Sequence, residues 1–230
     1  MTHTLHRVGK KESLEKDYVI YGLASNVEML KGNKPLYVNT KQLLTTFMEV
    51  CIQHNPVNTG CIYPSKNPYS KTFAKGNSWR DMRRDMLDYT ETLAVYDNQG
   101  DVEKTLKALK EADTGLSVVV SGVFEKVYEC CRGAGLTPHT VNMALGIRGN
   151  ESLLPRGKNL EIVTMCGHGL VSRYLVEDMA KRIVAGEMTC EEAAKRLGAN
   201  CVCGAFNTER AAELLGEMIT EIRGAEAGEK

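Results

Sequence analysis

Residues 159–166, NLEIVTMC, decide how the second half of this chain is read. The run is apolar, partly β-branched, and ends on a cysteine; glycines 167 and 169 then bracket His168 before a helical pattern begins. Read as a strand, it joins three neighbours. GLSVVVSG (115–122) is a second strand, and residues 122–134 form a helix with Phe124, Val127, Tyr128 and Cys131 facing inward. HTVNMALGI (139–147) alternates, with Val141, Met143, Leu145 and Ile147 on one face. From 116 to 186 the order is strand, helix, strand, strand, helix, the first five elements of a split βαβ unit.

The expected fold is therefore α+β. It has a ferredoxin-like (split βαβ) sandwich in the C-terminal half, an appended C-terminal helical segment and an N-terminal α/β lobe. The expected units are 1–76, a lobe with a long basic loop, and 77–230, the sandwich with the helices that carry the cysteines. This topology would set Cys166 at a strand end beside Pro138 and His139, close to Cys130, Cys131 and Arg132.

Elsewhere the elements are read more directly. THTLHRV (2–8), DYVIYGLA (17–24), KPLYVN (34–39) and TLAVY (92–96) read as strands. Thr40 caps a helix that stops before the His-Asn-Pro at 54–56, because the residue ahead of proline disfavours helical torsions. Residues 54–77 show no convincing element and carry Lys66, Lys71 and Lys75 without an acidic residue. They predict either a solvated linker or a loop that closes over an anionic ligand. Ser78 with Asp81, and Thr189 with Glu192, predict capping boxes. Residues 101–112, Leu170–Ala185 and a segment from Asn207 or Thr208 onward are further helices.

The chemistry lies in the cysteines. Eight in 230 residues, with no apolar signal core near residue 1, point to a reducing cytoplasm and away from a disulfide framework. Cys201-Val202-Cys203 sets two thiols two residues apart, so an extended backbone aims both at one ion. Cys166 and His168 repeat the spacing, and both pairs precede a helix start, where unpaired N–H groups favour thiolate. Three thiolates would hold a [4Fe–4S] cluster with one iron open; with His168 they would make a closed zinc site. In the cluster reading His168 or His139 moves a proton. A third reading makes Cys166 a metal-free nucleophile with a histidine base. Cys51, His54 and Cys61 form a weaker grouping, and Cys131 and Cys190 read as packing residues.

Composition narrows the partners. Lys plus Arg equals Asp plus Glu at 29 each, so no field favours nucleic acid. No apolar run is long enough to span a membrane. A pI near 6.9 fits an assembled state, a homo-oligomer among them. The expected partner is a small anionic substrate or another protein. The function expected is that of an iron–sulfur protein: a cluster-dependent enzyme, or a component handling electrons, sulfur or metallocofactors. A zinc-stabilised binding or assembly module is the alternative.

Overall fold

The structure is a computed structural model, and it describes residues 2–24, 40–63, 69–88 and 90–228. In chain order its elements are α1 (Lys11–Leu14), β1 (Tyr18–Leu23), α2 (Thr40–Ile52), β2 (Asn58–Tyr63), β3 (Tyr69–Thr72), α3 (Trp79–Asp85), β4 (Glu91–Tyr96), α4 (Gln99–Ala112) and β5 (Ser117–Ser121). There follow α5 (Phe124–Gly133), α6 (Gly157–Thr164), α7 (Arg173–Val184), α8 (Cys190–Gly198) and α9 (Thr208–Gly228). The fold is mixed α+β. Among the described residues no helix is long and apolar enough to cross a membrane.

The five strands form one sheet in the order β3-β2-β4-β1-β5, and every neighbouring pair is antiparallel. β4 is inserted between β1 and β2, the strands that flank α2. Registers such as Val19 opposite Val95 and Gly60 opposite Leu93 fix which residues share a face. Successive strand residues point to opposite sides, so the strands feed two cores. Val19, Tyr21, Leu93 and Val95 pack with residues of α6 to α9. Tyr18, Ile20, Ala94 and Tyr96 pack with α2, α4 and the Met82–Met86 segment. The sheet is thus apolar on both sides, which is why β1 and β4 read as continuous apolar runs and not as alternating ones.

Several expectations give way here. Residues 159–166 are not a strand: α6 covers most of them, and Asn159, Ile162 and Met165 are buried at a spacing of three. A short apolar run does not distinguish a strand from a buried helix by itself. Residues 139–147 alternate but pair with no strand among the described residues; they are irregular and exposed. The ferredoxin-like order expected over 116–186 therefore loses two of its three strands. The 2–8 segment is a 3-10 helix, Thr2–His6, held at Thr4 by a 2.7 Å hydroxyl contact with Ser121. Residues 54–77 contain the β2–β3 pair in place of a long loop. The boundary expected at 76/77 runs through the sheet, since β2 pairs with β4. The strand expected at 34–39 lies outside the described residues.

The helices behave more nearly as read. Ser78 and Asp81 cap α3, and Thr189 and Glu192 cap α8, each by a reciprocal capping box. α9 buries Ala211, Leu214, Leu215 and Ile219 against α8 and the sheet.

Candidate functional site

Cys166, Cys201 and Cys203 meet. Cys166 lies just past the end of α6, and the other two lie in the loop between α8 and α9. All three belong to the core on one face of the sheet and are at most 2% exposed. The Sγ atoms of Cys201 and Cys203 are 3.7 Å apart. Cys201 is also hydrogen-bonded to Cys166. The thiols thus run in a chain with Cys201 in the middle. Among the described residues no three His, Cys, Asp or Glu side chains already surround a common ion position.

The backbone serves each sulfur. The N–H groups of His168 and Leu170 donate to Cys166, that of Phe206 to Cys201, and that of Ala205 to Cys203. Gly169, at φ +68°, closes the first turn by donating to the Cys166 carbonyl at 3.0 Å. Gly204, at φ +78°, lets the second loop turn back after Cys203. That loop lies directly on β2. A Cβ placed on Gly60 would sit 1.9 Å from the Cys203 carbonyl oxygen, and one on Gly204 would sit 2.6 Å from the Thr59 carbonyl oxygen. Both glycines are there because two backbones touch. Asn58 Nδ2 to the Phe206 carbonyl (2.9 Å) and Thr208 Oγ1 to the Val57 carbonyl (3.1 Å) fasten the same junction.

Protonation runs along the chain of thiols. The Cys203 thiol is held below its ordinary range, chiefly because Cys201 donates to it, with help from the Ala205 N–H and the positive charge of Arg7. Cys201 is drawn down by Cys166, but its bond to Cys203 and its burial outweigh this and raise it to about 11. Cys166, donor to Cys201 and buried, is pushed well up. Cys203 is therefore the most acidic thiol of the set. Tyr21 on β1 is also pushed up, by burial first and then by the sulfurs beside it.

Beneath the thiols lies a polar cluster that single-residue reading of the sequence misses. Arg7 pairs with Asp17 and donates to the carbonyls of Met165 (3.4 Å) and Ala205, so one guanidinium holds both cysteine-bearing turns. Arg210, 1% exposed, pairs with Asp17 at 2.9 Å and Glu161 at 3.3 Å. It also donates to Ser13 Oγ and the Val8 carbonyl, each at 2.9 Å. Asn207 accepts the Arg210 N–H at 2.9 Å and donates to the Lys16 carbonyl at 2.9 Å. The only sequence hint is a pair of charged residues, Glu161 and Arg210, set within or beside apolar stripes.

The other candidates are dispersed. His168 is exposed in the turn after Cys166 and contributes its backbone to that sulfur. His139 is exposed in the irregular segment after α5, not at a strand start beside Cys166. Cys130 and Cys131 belong to the core on the opposite face of the sheet, as do Cys51 and Cys61. Burial alone pushes the Cys51 thiol up to about 12. Cys61 is a buried residue of β2. Lys71 is buried in an ion pair with Asp85 at 2.8 Å and donates to the Asp81 carbonyl. Lys75 donates to Ser70 Oγ at 2.9 Å, and Lys66 lies outside the described residues. Cys190 is half-buried at the first turn of α8.

No family model, curated protein or solved structure matches the chain.

Proposed function

We propose that this protein is a thiolate metalloprotein in which Cys166, Cys201 and Cys203 hold an iron–sulfur cluster. The observation that carries the reading is the meeting of three thiols, from two separate turns, on one buried core. A donor set made of sulfur alone selects soft metals and clusters over magnesium or calcium. A [4Fe–4S] cluster bound by three cysteines supplies electron storage and leaves one iron for a further ligand. The chain's own part is to supply donors to the sulfurs: four backbone N–H groups reach the three thiols, and the Arg7 charge lies beside Cys203. These would stabilise the thiolates once a cluster bound them, and hydrogen bonds of this kind set reduction potential. The burial of all three sulfurs favours the handling of electrons or metallocofactors, which needs no open path for substrate. If a proton moves with the electron, exposed His168 is better placed to carry it than His139.

A zinc site is the second reading, favoured by the 3.7 Å separation of Cys201 and Cys203. Four ligands at about 2.3 Å around one tetrahedral ion lie about 3.8 Å from each other. In this version the metal pins the α8–α9 loop to the end of α6, and the protein is a binding or assembly module. The nucleophile reading is weaker, because Cys166 is the thiol held most firmly protonated of the three. The framework supporting the site is best described as a split βαβ unit over 18–121, β1-α2-β2 with β4 between the strands and α4-β5 following. That places the ferredoxin-like element ahead of the cysteines in the chain, not around them.

The test is the content of iron, acid-labile sulfide and zinc in protein made and purified without oxygen. Iron and sulfide in equal amounts, lost in Cys203→Ser and kept in Cys190→Ser, is the expected result. One zinc without sulfide selects the second reading. Protein free of both, from cells able to assemble clusters, overturns the proposal.

A further inference from the structure

Large apolar side chains left in solvent are concentrated in one stretch. Among the described residues ten of the eleven lie between Phe124 and Tyr174. Val141 is 53% exposed, Met143 64%, Leu145 78% and Leu153 72%. Monomeric proteins seldom leave so many large apolar side chains of one segment uncovered. The backbone here is open too: no backbone hydrogen bond among the described residues engages 137–149. A strand-like pattern with neither a ladder nor a core is incomplete as it stands.

The same chain presents a matching edge. Among the described residues β5 ends the sheet and pairs with β1 alone. Its Val118, Val119 and Val120 are only half-buried. An open edge offers a row of N–H and C=O groups to any extended segment that reaches it. We propose that residues 139–145 add to the β5 edge of a second copy of this chain, and that the exchange is mutual, giving a two-fold dimer. Gly146, at φ +84°, limits the added strand to the residues before it.

Three observations select a second copy over another partner. The apolar arm and the open apolar edge belong to one sequence, so two copies satisfy each other and leave neither exposed. Alternating Val141, Met143 and Leu145 give the arm one apolar face, and half-buried Val118 and Val120 give the edge another, so each would cover the other. Formal charges cancel at 29 each, so copies meet without net repulsion.

The experiment is light scattering on the full chain at micromolar concentration, coupled to hydrogen exchange. The expected mass is twice 25.4 kDa. The double variant Met143→Asp, Leu145→Asp halves that mass while its far-UV dichroism stays unchanged, since both side chains lie in solvent within one copy. In the wild-type dimer the amides of 139–145 are protected. A wild-type mass of 25.4 kDa overturns the proposal, whatever else then covers the arm. So does a double variant that remains dimeric, or a dimer whose 139–145 amides exchange without protection. If the double variant loses its dichroism, protection in the wild type decides alone. None of these measurements depends on metal content.

Discussion

Replacing Gly60 with alanine tests how firmly the Cys201–Cys203 loop is seated. The added Cβ would stand 1.9 Å from the Cys203 carbonyl oxygen and 2.6 Å from its carbon. A carbon–oxygen contact needs about 3.3 Å, so one backbone must retreat by about 1.4 Å. β2 is poorly able to move: Gly60 is paired with Leu93 on one side and Thr72 on the other. The loop must yield instead, and with it the Cys203 sulfur, the Ala205 N–H and the hold of Arg7. Overpacking of a core costs about 1–3 kcal/mol, and rigid backbone on both sides puts this case near the top, about 3 kcal/mol. For a chain of this size that lowers the melting temperature by roughly 6–12 °C. Gly216→Ala is the control. A Cβ there meets nothing within 4 Å, and alanine in a helix is worth up to about 1 kcal/mol over glycine. The assay is thermal and urea unfolding of both variants, with bound metal measured on the same samples. A Gly60→Ala protein within about 1 kcal/mol of wild type, with its metal intact, would refute the claim that the loop rests on β2.

Other outcomes follow from the buried charges, thiols and caps. Arg210→Met leaves the Asp17 and Glu161 carboxylates partly uncompensated inside the protein and should cost about 3–5 kcal/mol; a loss under about 1 kcal/mol by urea unfolding would show that water replaces the guanidinium. Burial pushes the Cys51 thiol up to about 12 and the Cys130 thiol up to about 11. The folded chain therefore keeps protons that the unfolded chain releases. This stability is intact below about pH 8.5 and falls as pH rises, by about 1.4 kcal/mol per pH unit for each thiol, up to about pH 11 for Cys130 and about pH 12 for Cys51. An unfolding free energy flat to pH 11 would contradict that sign. Thr189→Ala removes the side-chain cap of α8 and should cost about 1 kcal/mol, visible as a lower melting temperature.

How much of this was legible in the sequence depends on the range of the interaction. β1, β4 and β5, and helices α2, α4, α5, α7, α8 and α9, carry their own periodicity and caps, and these are local signals. The 159–166 run misleads because its β-branched residues look like strand, while its burial at 159, 162 and 165 comes from packing against α7 and α9. The 139–147 run misleads in the other direction: alternation shows which residues would share a face, but not that a neighbouring strand exists. The β2–β3 pair carries no local signal because its residues, among them Asn58, Gly60 and Ser70, are poor strand formers; β4 holds β2, and β2 in turn holds β3. Of the site, the cysteine spacing and the flanking glycines were readable. Gly60 was not, because its reason for being glycine is the carbonyl of Cys203, far along the chain. Arg7 and Arg210 were not, because a buried ion pair depends on a partner that spacing does not reveal.

The Arg7 contacts bear on when the site can exist during synthesis. The guanidinium that ties the two cysteine turns together precedes Ala205 by 198 residues. Arg210, which shares Asp17 with it, lies 193 residues beyond that carboxylate. The first half of the clamp therefore leaves the ribosome long before the second is made. Contacts of such separation are the slow ones in folding. Until they close, Cys166, Cys201 and Cys203 stand in a growing chain with no guanidinium to hold their turns together. Delivery of metal, on the reading above, must then wait for the finished chain, and oxidants have their best access to the thiols in that interval.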